Sequence, residues 1–203
     1  MFLIKRAYLY RWSFVLFLII GIAVPALADG PEEEIRQTTN KILSIVTDPA
    51  LINPSREEEK RRLVRKVVDE RFDWEEMSRR SLARYWDQRT EEEKKEFVRL
   101  YSDLLERTYM DKVEGYSGEK VTYEGESVDN GYAAVKIKIT TKKNTDIHVR
   151  YGLKKKGNKW LVYDVSIEGV SLVNSYRTQF NRIILQSSYE NLVKRLRERV
   201  ELK

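Results

Sequence analysis

The side chains from which active sites are usually assembled are scarce in this sequence. It holds one histidine, His148, and no cysteine. Thiol catalysis and cysteine-based zinc sites are thereby excluded, and a transition-metal site has little to be built from. His148 alternates with the apolar positions of a strand-like run and so points outward. Asp146, two residues away, shares its strand face, which gives the pair the composition of a base and its orienter. Two solvent-facing neighbours have no reason for a tuned pKa, however, and an ordinary surface histidine is the simpler reading. Ser166 and Ser171 surround Gly169, but no histidine follows them and the pattern is not a nucleophile elbow; capping or packing suits both. Asp164 and Glu168, read along one strand, stand about 13 Å apart by rise, too far for two carboxylates acting on one small group. Glu57, Glu58 and Glu59 lack the alternating spacing of a calcium loop, and there is no glycine-rich phosphate loop. What remains is an aromatic surplus: Trp74, Tyr85, Trp86, Phe97, Tyr101, Tyr109, Tyr151, Tyr163, Tyr176 and Phe180. These either fill a core or line an apolar pocket, since tyrosine offers a greasy body with a polar tip.

The elements that must position them follow from periodicity. Residues 32–46 carry Ile35, Ile42, Leu43 and Val46 on one helical stripe, ended by Asp48, Pro49, Asn53 and Pro54. Ser55 with Glu58 is a capping box for a second helix reaching residue 70, with Leu63, Val64, Val67 and Val68 on its apolar side. Asp73 with Glu76 opens a short third helix presenting Trp74, Met77, Ser78 and Leu82. Thr90 with Glu93 opens a long fourth one, striped by Phe97, Leu100, Tyr101, Leu104, Leu105, Thr108, Tyr109 and Val113.

From residue 119 the period becomes two. Val121 and Tyr123 are followed by an Asn130-Gly131 hairpin signal, then by Val135, Ile137 and Ile139 in 132–141 and by Ile147, Val149, Tyr151 and Leu153 in 146–156. In the fourth strand Leu161, Tyr163, Val165 and Ile167 alternate against Trp160 and Val162, so it is covered on both sides. At Glu168, Gly169 and Val170 the strand turns directly into a helix capped by Ser171 and carrying Leu172, Val173, Tyr176 and Phe180. Glu168 either holds that corner or contacts a partner. Ser187 with Glu190 caps a last, basic helix. Helices, strands, then helices predict an α+β fold in which a curved four-stranded antiparallel sheet packs against several helices and encloses an apolar pocket.

Lys5, Arg6 and Arg11, the apolar run at 12–24 and the small residues Ala26 and Ala28 make 1–28 a signal peptide, leaving 29–203 as one domain. Three of the 38 basic residues precede that cut, so the precursor's +6 becomes +3. A charge so mild, with both signs interspersed, speaks against a nucleic-acid partner. An exported chain without cysteine relies on packing rather than disulfides.

The segments YDVSIEGVSLVNSYRTQF, FDWEEMSRRSLARYW, EFVRLYSDLLERTY and VRYGLKKKGNKWLVYD occur here in one chain. Together they resemble the MlaC family, also called toluene-tolerance or phospholipid-binding periplasmic proteins. The resemblance implies a non-enzymatic, monomeric periplasmic carrier whose cargo is phospholipid and which needs no cofactor. It implies shuttling between an outer-membrane lipoprotein complex (MlaA-like) and an inner-membrane ABC transporter with an MCE-domain subunit (MlaD-like), in maintenance of outer-membrane lipid asymmetry. Tyr101 stands where relatives have phenylalanine, Ala83 where glycine is common, and 186–188 is more polar than usual. Two acyl chains of about thirty methylenes resist water by ~24 kcal/mol at ~0.8 kcal/mol each, so a carrier must enclose them. Expected lining residues are Val135, Ile137, Val149, Tyr151, Tyr163 and Val165 from the strands, with Trp74, Leu82, Leu100, Tyr101, Leu104, Tyr109, Leu172 and Tyr176 from the helices. Two other readings stand beside this one: a curved-sheet enzyme of dehydratase or isomerase type using His148 and Asp146, and an adaptor docking through Lys194, Arg195, Arg197 and Arg199.

Overall fold

Pro31 at the first helical position and three glutamates in the first turn start α1 (Pro31–Val46). No side chain of its own caps this helix. The acceptor comes from the sheet instead, where Glu126 receives the Glu32 N–H at 2.6 Å. The computed structural model describes residues 30–201, so the expected signal peptide lies outside the described residues. Two 3-10 turns, Pro49–Leu51 and Pro54–Arg56, lead into α2 (Glu57–Arg71). Ser55 does not cap α2 as its spacing predicts, because Asn53 takes both its backbone N–H and its hydroxyl, at 3.0 and 2.9 Å.

Asp73 caps α3 (Trp74–Leu82) by accepting the Glu76 N–H at 3.1 Å. The box is only half made: the Asp73 N–H donates to the Val162 carbonyl at 2.9 Å, and Phe72 makes a single parallel bridge to Val162. A 3-10 segment, Ala83–Gln88, follows. Ala83 sits at φ 49°, ψ −123°, a conformation suited to the glycine the family resemblance leads one to expect there and costing about 1–3 kcal/mol for any other residue. Thr90 and Glu93 form the complete capping box of α4 (Glu91–Glu114).

The sheet is a meander in the order β1 (Lys120–Asp129), β2 (Tyr132–Thr140), β3 (Asp146–Lys156), β4 (Lys159–Ile167) and β5 (Val170–Ser171), with every neighbour antiparallel. The fifth strand is the addition to the four expected. It exists because Glu168 and Gly169 both take positive φ, 49° and 77°, and reverse the chain in two residues rather than feeding it straight into a helix. Glu168 holds this corner. Its N–H donates to the His148 carbonyl at 2.9 Å and its carboxylate accepts the His148 N–H.

A register shift between Gly152 and Leu153 changes which residues of β4 face inward. Val165 pairs with Tyr151 before the bulge and Val162 with Leu153 after it, so Trp160, Val162, Val165 and Ile167 share one face. Tyr163 stands on the other. Its ring lies where a Cβ on Gly152 would project, meets Tyr132 edge-on at 5.9 Å, and packs under Arg80 at 4.1 Å. The expected alternation, which put Tyr163 with Val165 and set Trp160 and Val162 opposite, is corrected by that one inserted residue.

Ser171 caps α5 (Leu172–Gln186), accepting the Asn174 N–H at 3.1 Å. For α6 (Tyr189–Glu201) the cap is Ser188, which accepts the Asn191 N–H, and not Ser187. Hydrophobic residues gather in two clusters. One lies within α3–α6 around Phe97, Tyr101, Phe180 and Leu192; the other joins the inner sheet face to Ile35 of α1. Glu34 and Arg71 tie α1, α2 and β4 together: they are ion-paired, Arg71 donates to the Trp160 carbonyl at 2.7 Å and to Thr38 at 3.0 Å, and Glu34 accepts the Trp160 N–H at 3.3 Å.

Candidate functional site

The two clusters meet along β4 and the start of α5. Phe72 packs against both. Leu172, the first residue of α5, belongs with the sheet cluster, and Val173 and Tyr176 with the helical one. Asp164 fixes this join: its carboxylate accepts the Ser171 hydroxyl at 2.6 Å and the Val173 N–H at 3.1 Å, pinning the helix start to β4. Sequence reasoning weighed Asp164 only as half of a carboxylate pair and missed this role.

The structure sorts the expected lining residues into groups. Val135, Ile137, Val149, Tyr151, Val165 and Leu172 come together on the inner sheet face. Leu82, Leu100, Tyr101 and Leu104 are at most 6% exposed within the helical cluster. Tyr101 has its extra hydroxyl satisfied by Ser81 at 3.1 Å, and its ring meets those of Tyr176 and Phe180 edge-on at 5.2 and 5.4 Å. Burial pushes this phenol's pKa up. Tyr109 and Tyr176 are half-buried against the same cluster. Trp74 lies at the α2–α3 corner, stacked on Phe72 at 5.1 Å, with its indole N–H donating to Asp69 at 2.7 Å. Tyr163, on the outer face, is separated from the inward strand set.

Five half-buried residues around the sheet cluster were not singled out as lining: Val121, Tyr123, Ile139, Ile147 and Ile167. Each has the inward parity. Val121, Ile139, Ile147 and Ile167 lie at one end of the sheet, paired through Val121 with Ile139 and Ile139 with Ile147. α4 packs on α3 and α6 rather than on the sheet. The arrangement therefore places a half-covered apolar face beside a closed helical core, a surface able to hold hydrocarbon.

Two clefts on another part of the surface are lined mostly by charged side chains. One, of about 190 Å3, is lined by Asp73, Glu75, Glu76, Arg79, Lys154 and Lys156. The other, of about 450 Å3, runs past Arg79, Arg80, Arg84, Trp86 and Arg177. Arg79 borders both clefts, and Glu76 borders the first. Arg79 donates to the two Glu76 oxygens at 2.9 and 2.7 Å and Arg80 at 2.8 Å; these bonds, Arg79's first, outweigh burial and hold the Glu76 carboxyl down at about 2. No cluster of metal-ligating side chains is present among the described residues.

The pair considered for catalysis does not assemble. His148 is exposed, with Nδ1 3.6 Å from Glu124. Asp146 accepts from Thr140 at 2.6 Å and pairs with Lys138 at 3.2 Å. Both stand on the sheet face opposite the apolar cluster, since their β2 partners are Lys138 and Thr140. In the basic last helix, Arg197 is paired with Glu96, and Lys194 with Glu198 at 3.9 Å.

A family model described as MlaC protein matches residues 36–198, from the first turns of α1 to the last of α6. The chain belongs to the MlaC family. Among MlaC relatives, the intermembrane phospholipid transport system binding protein MlaC of Haemophilus influenzae is 24% identical over 122 residues, or 58% of this chain and 57% of that protein's length. The chain thus matches little more than half of that relative. A phospholipid-binding protein from Ralstonia solanacearum, solved in complex with a phospholipid, superposes with a TM-score of 0.75 and 24% identity over 85% of this chain and 97% of its own. That likeness establishes the α+β fold with an open antiparallel sheet.

Proposed function

We propose that this chain is a periplasmic phospholipid carrier, the water-borne member of an ABC-type lipid transport system that moves phospholipid between the outer and inner membranes. The observation that carries the reading is the inner sheet face, where Val135, Ile137, Val149 and Val165 are continued by the half-buried Val121, Ile139, Ile147, Ile167 and Leu172. Acyl chains gain by lying on such a face, while a charged head group must stay near water. The Haemophilus relative's name and the lipid held by the Ralstonia protein support the cargo.

In this reading the lipid lies along the half-covered part of the inner sheet face, and the partners are an MlaD-like MCE subunit at the inner membrane and an MlaA-like lipoprotein complex at the outer. The residues Val135, Ile137, Val149, Tyr151, Val165, Leu172, Tyr109 and Tyr176 border the acyl chains. Leu82, Leu100, Tyr101 and Leu104 form the wall behind them. The test is transfer of a labelled phospholipid from donor to acceptor vesicles held apart by a membrane that passes protein alone. Transfer in proportion to added protein is expected; transfer no faster than without protein contradicts the carrier role.

A further inference from the structure

Several phenols of this fold have partners of their own. Tyr101 bonds Ser81, Tyr189 donates to the Glu93 carbonyl at 3.3 Å, and Tyr85 donates to Asn181 at 3.2 Å. Two others stand on the inner sheet face. Tyr123 of β1 has its hydroxyl sealed from solvent with no hydrogen-bond partner among the described residues. Tyr151 of β3 is half-buried on the same face, and its hydroxyl is not sealed from solvent as that of Tyr123 is. The two flank β2 from either side, Tyr123 opposite Ile137 and Tyr151 opposite Val135.

Tyr151 combines two properties. It is half-buried by surface, and burial pushes its phenol up to about 12. At neutral pH it stays protonated and can donate. A buried hydroxyl without an acceptor is unfavourable, and an acceptor on a bound molecule removes that penalty.

We infer that Tyr123 and Tyr151 donate hydrogen bonds to the ester carbonyl oxygens of a bound diacyl glycerophospholipid, giving the site a preference for ester-linked over ether-linked lipids. The inference rests on the carrier reading. A neutral carbonyl fits better than a phosphate here because Val135, Ile137, Val149 and Val165 surround the phenols, and a buried charge among them would need a cation. Arg36, whose guanidinium lies 3.8 Å over the Tyr123 ring, is already paired with Glu32 at 2.7 Å and Glu33 at 3.5 Å.

The experiment compares binding of dioleoyl-phosphatidylglycerol with that of its dioleyl ether analogue, which has the same head group and chains but no carbonyl oxygens. The wild-type protein is expected to bind the diester about tenfold more tightly. Tyr123→Phe/Tyr151→Phe should bind both lipids at the level of the wild type with the ether, and its lipid-free melting temperature should not fall, because the Tyr123 hydroxyl has no partner there and that of Tyr151 is not sealed from solvent. Equal binding of both lipids by the wild type overturns the inference and leaves the carrier reading standing. Binding of neither overturns both. Undiminished ester preference in the double variant also overturns the inference. The wild-type comparison needs no variant to fold.

Discussion

Glu34→Ala is expected to lower stability by about 3–5 kcal/mol, the usual consequence of removing one partner from a buried ion pair. Glu34 is 7% exposed and ion-paired with Arg71, whose guanidinium also serves the Trp160 carbonyl and Thr38. Burial already lowers the Arg71 pKa, so without Glu34 that cation stands in an apolar setting with only neutral partners. At roughly 2–4 °C per kcal/mol for a domain of this size, the melting temperature should drop by about 6–20 °C. Glu34→Ala/Arg71→Met should recover part of the loss, since the stranded charge is gone. A loss below about 1 kcal/mol for the single variant, by denaturant melting, would show that the pair does not hold α1 and α2 to the sheet.

The second large effect separates cavity wall from core. Leu172→Asn is expected to reduce phospholipid recovered per folded molecule about tenfold, while the melting temperature moves by only a few degrees. Leu172 is half-buried in the sheet cluster and occupies the first helical position of α5, where asparagine is tolerated. The expected loss is that of the leucine's contact with hydrocarbon, ~1.5–3 kcal/mol, or roughly ten- to hundredfold in affinity. Leu100→Ala should behave in the opposite way. That leucine is 1% exposed inside the helical cluster, so its removal leaves a cavity costing ~2–5 kcal/mol with lipid per folded molecule little changed. If both variants lose stability and lipid in equal proportion, Leu172 is a core residue and the join is not a lipid wall.

What the sequence made legible was governed by signals short enough to act locally. The Thr90–Glu93 box and the long stripe after it place α4, and the Asn130-Gly131 turn fixes the first hairpin. Strand β3 is found at the 146–156 that alternation predicts. Failures came where a single residue shifted a period. The bulge opposite Gly152 moved Tyr163 to the outer face, and Asn53 took the hydrogen bonds that Ser55 would have needed as a cap. The candidate site was partly legible for a related reason. Parity names the inward face but not how far along a strand its cover reaches, so Val135 and Ile137 were named while Ile139 and Ile147, two to four residues nearer the open end, were not. Glu34 was unreadable as a buried group because its partner Arg71 lies 37 residues away.

Protein purified from its native cells without detergent, extracted with organic solvent and analysed by mass spectrometry, tests the carrier reading most directly. Phospholipid in near-stoichiometric amount, with two ester-linked chains, is expected. Protein that is folded, matches the expected mass and repeatedly yields no phospholipid would contradict the carrier reading.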